Sequence, residues 1–174
     1  MAPAAGGAAP APAAAAEGGG GGLNVQGLPI VKPPYGVVTA VNLDRGEIMW
    51  QVPHGDTPDA IRNHPALRGM NIPKTGQPGV AGVGLLVTKS LVIMGDPQVT
   101  SPPGRPRGAM LHAYDKKTGQ QVGEVYMPAP QSGSPMSYQV DGRQFIIVAV
   151  SGGAYTGEYL AFSLPQNEVK PSQQ

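Results

Sequence analysis

From Leu23 onward the apolar residues come in short runs of Val, Ile, Leu and Tyr, each cut by Gly, Pro or Asp before it reaches helical length. Runs of this kind, rich in β-branched residues and bounded by turn formers, read as strands joined by tight turns. The pattern predicts strands over 36–42, 48–52, 84–88, 91–95, 110–114, 124–127, 136–140, 144–151 and 159–164. Asp141-Gly142 lies between two alternating runs and predicts a two-residue hairpin, because a type I′ turn needs positive φ at both central positions. Lys89-Ser90 predicts another. One helical start is legible, Thr57-Pro58-Asp59-Ala60-Ile61-Arg62-Asn63, with Thr57 as N-cap and Pro58 at the first helical position. His64-Pro65 ends it early, since a residue before proline avoids the helical region.

The chain also repeats itself. Ala40-Val41-Asn42-Leu43-Asp44-Arg45-Gly46, followed by Trp50, lines up with Ala113-Tyr114-Asp115-Lys116-Lys117-Thr118-Gly119, followed by Gly123; a worn third copy begins at Ala161-Phe162-Ser163. The copies start 73 and 48 residues apart. Setting aside 54–79, a 26-residue stretch rich in turns and poor in strand signal, as an insertion brings the first spacing to 47. A period in the forties with four short strands per unit is the mark of propeller blades. In each copy an apolar strand runs into a tight turn, where the side chain of Asn42 or Asp115 accepts from backbone N–H groups and Gly46 or Gly119 takes the left-handed position. Trp50 is placed to lay its ring across the neighbouring sheet, a packing role.

Composition narrows the picture. The chain holds 26 Gly and 20 Pro in 174 residues; 10 of these 46 sit in 1–22, an Ala/Gly/Pro stretch with a lone Glu17, and the other 36 keep the rest dense in turns. Such a stretch cannot bury enough apolar surface to fold, so 1–22 is expected to be a disordered tail without the features of a secretory signal. Residues 23–165 are expected to form the propeller segment, all-β and about three blades long, and 166–174 a polar tail. Charged residues are 13% and the net charge is +1, so no field exists to draw nucleic acid or an anionic membrane. No run of about 18 apolar residues predicts a spanning helix. The absence of Cys removes thiolate metal sites and Cys nucleophiles.

The stretch from Ala40 to Trp50 resembles the tryptophan-docking motif of pyrroloquinoline quinone (PQQ) dependent dehydrogenases. The stretches Leu28-Pro29-Ile30-Val31-Lys32-Pro33-Pro34-Tyr35-Gly36, Gly55-Asp56-Thr57-Pro58-Asp59, Asn63-His64-Pro65-Ala66-Leu67, Tyr126-Met127-Pro128-Ala129-Pro130 and Gly133-Ser134-Pro135-Met136 are similar to the C-terminal part of the membrane-associated, glucose-dehydrogenase-like branch. The resemblance implies an eight-bladed propeller that binds PQQ and a divalent cation, calcium or magnesium, near its axis. It further implies oxidation of a sugar or alcohol, with electrons passed to ubiquinone, at the periplasmic side of the inner membrane. The cofactor carries the electrons and the protein orients it. Eight blades need roughly 360 residues, so the chain covers only a sector. A partner chain supplying the missing blades is the corresponding expectation, and a scaffold that has lost the cofactor site is the alternative.

The resemblance is incomplete where the chemistry would lie. Relatives carry an Asp-Asn pair before the strand leading into the motif and a Gly-Gly-His in the last blade, where this chain has Gly108-Ala109 and Gly152-Gly153-Ala154. The remaining candidates to face the axis are Asp96, Arg105 and Arg107. The two arginines could meet cofactor carboxylates, because guanidinium binds carboxylate through paired hydrogen bonds, or they could belong to a solvated loop. Asp56 and Asp59 read as turn and helix-start residues. His54, His64 and His112 fall in no metal-ligand spacing, and His112 alternates with core residues along a strand.

Overall fold

The computed structural model describes residues 23–152 and 154–165; both expected tails and Gly153 lie outside them. The described residues form a small hairpin, β1 (Asn24–Val25) with β2 (Leu28–Pro29), and three larger antiparallel sheets. The first large sheet pairs β3 (Val37–Asn42) with β4 (Glu47–Pro53). The second holds β5 (Leu86–Val87), β6 (Leu91–Gly95), β7 (Ala109–Asp115) and β8 (Gln121–Met127) in sequential order. The third holds β9 (Met136–Val140), β10 (Arg143–Gly152) and β11 (Tyr155–Ser163). This is a partial β-propeller: the last two strands of one unit, one full unit, and the first three strands of another. The Asp141-Gly142 hairpin forms as expected, with φ of 48° and 74°. The β1–β2 hairpin, turned by Gln26 and Gly27 at φ of 51° and 87°, was not legible because its strands are two residues long.

The repeat is real in three dimensions. Asn42 Oδ1 accepts from the N–H groups of Asp44 (3.0 Å) and Arg45 (3.2 Å), and Asp115 Oδ1 accepts from those of Lys117 (3.0 Å) and Thr118 (2.9 Å). The Thr118 hydroxyl adds a third bond to Asp115 at 3.0 Å. Those bonds from Thr118 hold the Asp115 carboxyl below its usual range. Gly46 and Gly119 follow at φ of 69° and 73°. Both hairpins carry a register shift at the matching place, between Ala40 and Val41 and between Ala113 and Tyr114.

Trp50 joins the first two sheets. Its indole N–H donates to the Lys116 carbonyl at 3.0 Å, and a Cβ on Gly119 would lie 2.7 Å from the indole ring. Gly119 is therefore required twice, for its left-handed backbone and for the room it leaves the ring.

Alternation gives the second sheet two faces. One carries Ile93, Ala109, Leu111 and Met127 and packs against Val148 and Val150 of the third sheet, the dry core of the molecule. The other carries Met94, Met110, His112 and Tyr114 and faces the first sheet and the chain that follows it. The expected helix is a single turn, α1 (Asp59–Arg62). Its N-cap is Pro58 and no side chain caps it, which corrects the expectation of Thr57. The Thr57 hydroxyl is held by the folded-back chain instead, accepting from Thr75 N–H (3.3 Å) and donating to the Pro73 carbonyl (3.5 Å). No helix among the described residues is long and apolar enough to cross a membrane.

Candidate functional site

Antiparallel strands put successive connections at alternate ends. The short turns 88–90 and 116–120 lie at one end of the second sheet, and the long connections 96–108 and 128–135 at the other. The 54–85 segment, entering from β4, joins the same end, since His54 reaches Gly95 at the last residue of β6. Loops gathered at one end of a rigid sheet scaffold are where propellers carry chemistry, and here they enclose a buried polar network.

His54 is at its centre. A carbonyl can only accept, so the 3.0 Å contact from His54 Nε2 to the Gly95 carbonyl fixes the ring proton on Nε2. Nδ1 then accepts from the Tyr114 hydroxyl at 2.9 Å. The His112 ring stands edge-on to His54, with centroids 5.4 Å apart, and its Nε2 lies 2.9 Å from Asp96 Oδ1. Asp96 Oδ2 accepts from the Met110 N–H at 3.0 Å. Gly55 closes the cluster: a Cβ there would lie 2.9 Å from the Gln77 side chain and 3.0 Å from Asp96 Oδ1. His54, Gln77, Asp96 and His112 are wholly buried. Gln77 Oε1 accepts from the Gln98 N–H at 3.1 Å, while Gln77 Nε2 and His112 Nδ1 have no hydrogen-bond partner.

Burial pushes the His54 pKa down to about 4, the Gly95 carbonyl opposing it and His112 adding to it. Burial, and then Asp96, pushes the Tyr114 phenol up. Both shifts keep the two groups uncharged near neutrality, and their hydrogen bond fastens the 54–79 segment to the second sheet.

A ladder of ions runs outward from this network. His112 Nδ1 lies 3.5 Å from Glu124 Oε2, Glu124 Oε1 binds Arg105 at 2.8 Å, and Arg105 also reaches Asp56 at 3.3 Å. Beside it, Asp59 binds Arg62 at 2.9 Å, lies 3.9 Å from Arg107 and accepts from the Ser101 N–H at 2.9 Å. Of the three expected axis-facing residues, Asp96 is thus buried with both oxygens engaged. Arg105 is held between two carboxylates, and Arg107 is largely exposed at the edge of a third. Gly108 has a steric reason: a Cβ there would run into the Tyr126 ring and lie 2.7 Å from the Met127 carbonyl. No aspartate fits that position with Tyr126 in place.

The sequence model of the PQQ glucose/ethanol/alcohol dehydrogenase beta-propeller domain matches residues 7–146, well over half of the chain. The chain belongs to this family. It is 28% identical over 151 residues to quinoprotein glucose dehydrogenase A of Acinetobacter calcoaceticus, covering 84% of this chain and 17% of that protein. It is 29% identical over 153 residues to a probable quinate dehydrogenase (quinone) of Xanthomonas campestris pv. juglandis, covering 82% and 17%. Quinoprotein glucose dehydrogenase of Escherichia coli K12 is 25% identical over 150 residues, covering 81% and 17%. The chain therefore spans about a sixth of the length of these curated relatives.

Family membership implies PQQ, usually with a divalent cation, and the donor set here can be tested against both. Among the described residues no group of three or more His, Asp or Glu is arranged to hold a metal ion. Arg105 is spent on Glu124 and Asp56, and Arg107 faces Asp59. Two surface grooves, one lined by Ser137, Tyr138 and Gln144 and the other by Arg62, His64 and Arg68, include none of the residues of the His54 network. The described residues do not make a PQQ and cation site by themselves.

Proposed function

We propose that this chain forms one sector of a PQQ-dependent dehydrogenase ring, the remaining blades being supplied by further polypeptide, in the same chain or in a partner. The completed protein oxidises a sugar or alcohol with PQQ and calcium or magnesium. It passes the electrons to ubiquinone at the periplasmic side of the inner membrane. The observation that carries this reading is the family match over most of the chain, joined to sheets of two, four and three strands. An arc of this kind has both ends open, and the relatives are about six times longer than the matched segment. In this reading 54–79 is an insertion between blades, and the tails at 1–22 and 166–174 lie outside the ring. The test is dye-linked oxidation of glucose and other polyols. The chain alone, given PQQ and calcium, is expected to show no turnover, and the chain reconstituted with the rest of the ring is expected to turn over. Strong activity from the chain alone overturns the sector reading.

A second reading has its own support. Arg105, Arg107 and Asp96 are all engaged by residues of the chain itself, and Gly108 and Ala154 stand where the family resemblance leads one to expect polar side chains. These features suit a scaffold whose loop end has closed on itself. That reading predicts that a completed ring binds no PQQ, which calorimetric titration decides.

A further inference from the structure

On the polar face of the second sheet one buried nitrogen stands outside the hydrogen-bonded network. His112 and Glu124 are direct cross-strand partners on β7 and β8, so their side chains share a face. His112 Nε2 lies 2.9 Å from Asp96 Oδ1; a neutral ring therefore keeps its proton there, and Nδ1 carries a lone pair. Nδ1 is buried without a hydrogen-bond partner and faces Glu124 Oε2 at 3.5 Å. Two acceptors set against each other repel, and the separation is too long for a hydrogen bond. It suits a shared cation instead. A zinc ion held tetrahedrally by one nitrogen and one oxygen at its usual bond lengths sets those two atoms about 3.3 Å apart. Asp96 supports the ring from behind, as the carboxylates do that accept the other N–H of metal-binding imidazoles, and Asp96 is itself fixed by the Met110 N–H at 3.0 Å. The Glu124 side chain is 34% exposed, so the pair opens to solvent on that side.

We propose that His112 Nδ1 and Glu124 Oε2 are the two protein donors of a site for a divalent transition metal, with water filling its remaining positions. Two donors fall short of the three-residue cluster that is absent among the described residues, so binding is moderate. An imidazole donor suits zinc, copper or nickel, whereas calcium and magnesium take oxygen ligands. The site is thus of a different class from a calcium or magnesium site, and it stands whether or not the sector reading does. Two neighbours oppose the metal. Arg105, bound to Glu124 Oε1 at 2.8 Å and to Asp56 at 3.3 Å, is a competing cation, and Gln121 Nε2, 3.0 Å from Glu124 Oε2, must turn away as the metal enters.

The test titrates the full chain with zinc near neutral pH, read by calorimetry and by the ¹⁵N signals of its three histidine rings. One zinc per chain is expected, with His112 Nδ1 shifting. His54, whose Nδ1 is taken by Tyr114, and His64, bonded to Gln26 and Ala66, are expected to stay unmoved. Glu124→Gln is expected to weaken binding by about tenfold or more, His64→Gln to leave it unchanged, and Arg105→Ala to tighten it several-fold by removing the competing cation. Excess calcium is expected not to displace the zinc. His112→Gln should abolish binding, and Glu124→Gln carries the test if that variant fails to fold. Absence of saturable binding overturns the proposal, as does equal affinity in Glu124→Gln or displacement by calcium. So does a metal-free spectrum in which His112 Nδ1 is protonated, which would make the ring a cation bridging Asp96 and Glu124.

Discussion

The inner strands of the second sheet, β6 and β7, are buried on both faces by opposite means. Toward the third sheet the second sheet meets Val148 and Val150 with Ile93, Leu111 and Met127, an apolar contact without direction. Toward the first sheet and the 54–79 segment it offers the Tyr114 hydroxyl and the Gly95 carbonyl, both bonded to the His54 ring, with the His112–Asp96 pair of its own loop end buried beside them. An apolar interface tolerates any set of side chains of about the right volume. A buried polar interface is directional, and losing one partner strands the other. The first kind lets blades stack; the second fixes where one particular segment lies.

The largest expected effect breaks the polar side. His112→Leu keeps most of the volume but leaves Asp96 Oδ1 buried without its hydrogen-bond partner, and is expected to destabilise by about 3 kcal/mol in urea unfolding. Met127→Leu, on the apolar side, is expected to cost less than about 1.5 kcal/mol. Equal losses from the two would erase the distinction drawn here.

Acid should separate the faces next. An unfolded chain protonates His54 near 6.5, whereas the folded chain holds it neutral down to about 4. The unfolded state therefore binds the proton first. Stability from this group is complete above pH 6.5 and is lost as pH falls toward 4, by about 3 kcal/mol in all. Urea midpoints at pH 7 and pH 4.5 should differ accordingly, and His54→Gln should flatten that part of the dependence.

Between the two turns the comparison sharpens further. Gly46 has φ of 69° and nothing within 4 Å of an added Cβ, so Gly46→Ala is expected to cost about 1 kcal/mol from the backbone alone. Gly119 has φ of 73° and the Trp50 ring 2.7 Å away, so Gly119→Ala should cost more and shift the Trp50 emission. The smallest effect falls on the surface rungs. Arg105 is more than a third exposed, and Arg105→Ala is expected to change stability by no more than about 1 kcal/mol.

The strands, the three-sheet organisation and the two matched turns were legible because each is local. A strand is announced by its own alternation and a turn by its own Asx and Gly, so Asn42 to Gly46 and Asp115 to Gly119 could be paired by inspection. The helix start failed for a related reason: Thr57 has the side chain of a cap, but the distant chain at Pro73 and Thr75 claims its hydroxyl. The candidate site was the least legible part. Nothing in the sequence links His54 to Tyr114, 60 residues away, or Asp59 to the Ser101 amide, 42 away.

By itself, then, the sequence determined that this is an all-β chain of propeller texture with a period in the forties, and that it resembles quinoprotein dehydrogenases. Only the tertiary structure decided which charges are free. Asp96, Arg105 and Arg107 look alike as loop residues, yet folding buries the first against His112 and sets the other two against carboxylates from the 54–79 segment. Strand and turn preferences act over a few residues, whereas the state of an ionisable group is set by whichever charges and dipoles packing brings within a few ångströms, from any distance along the chain.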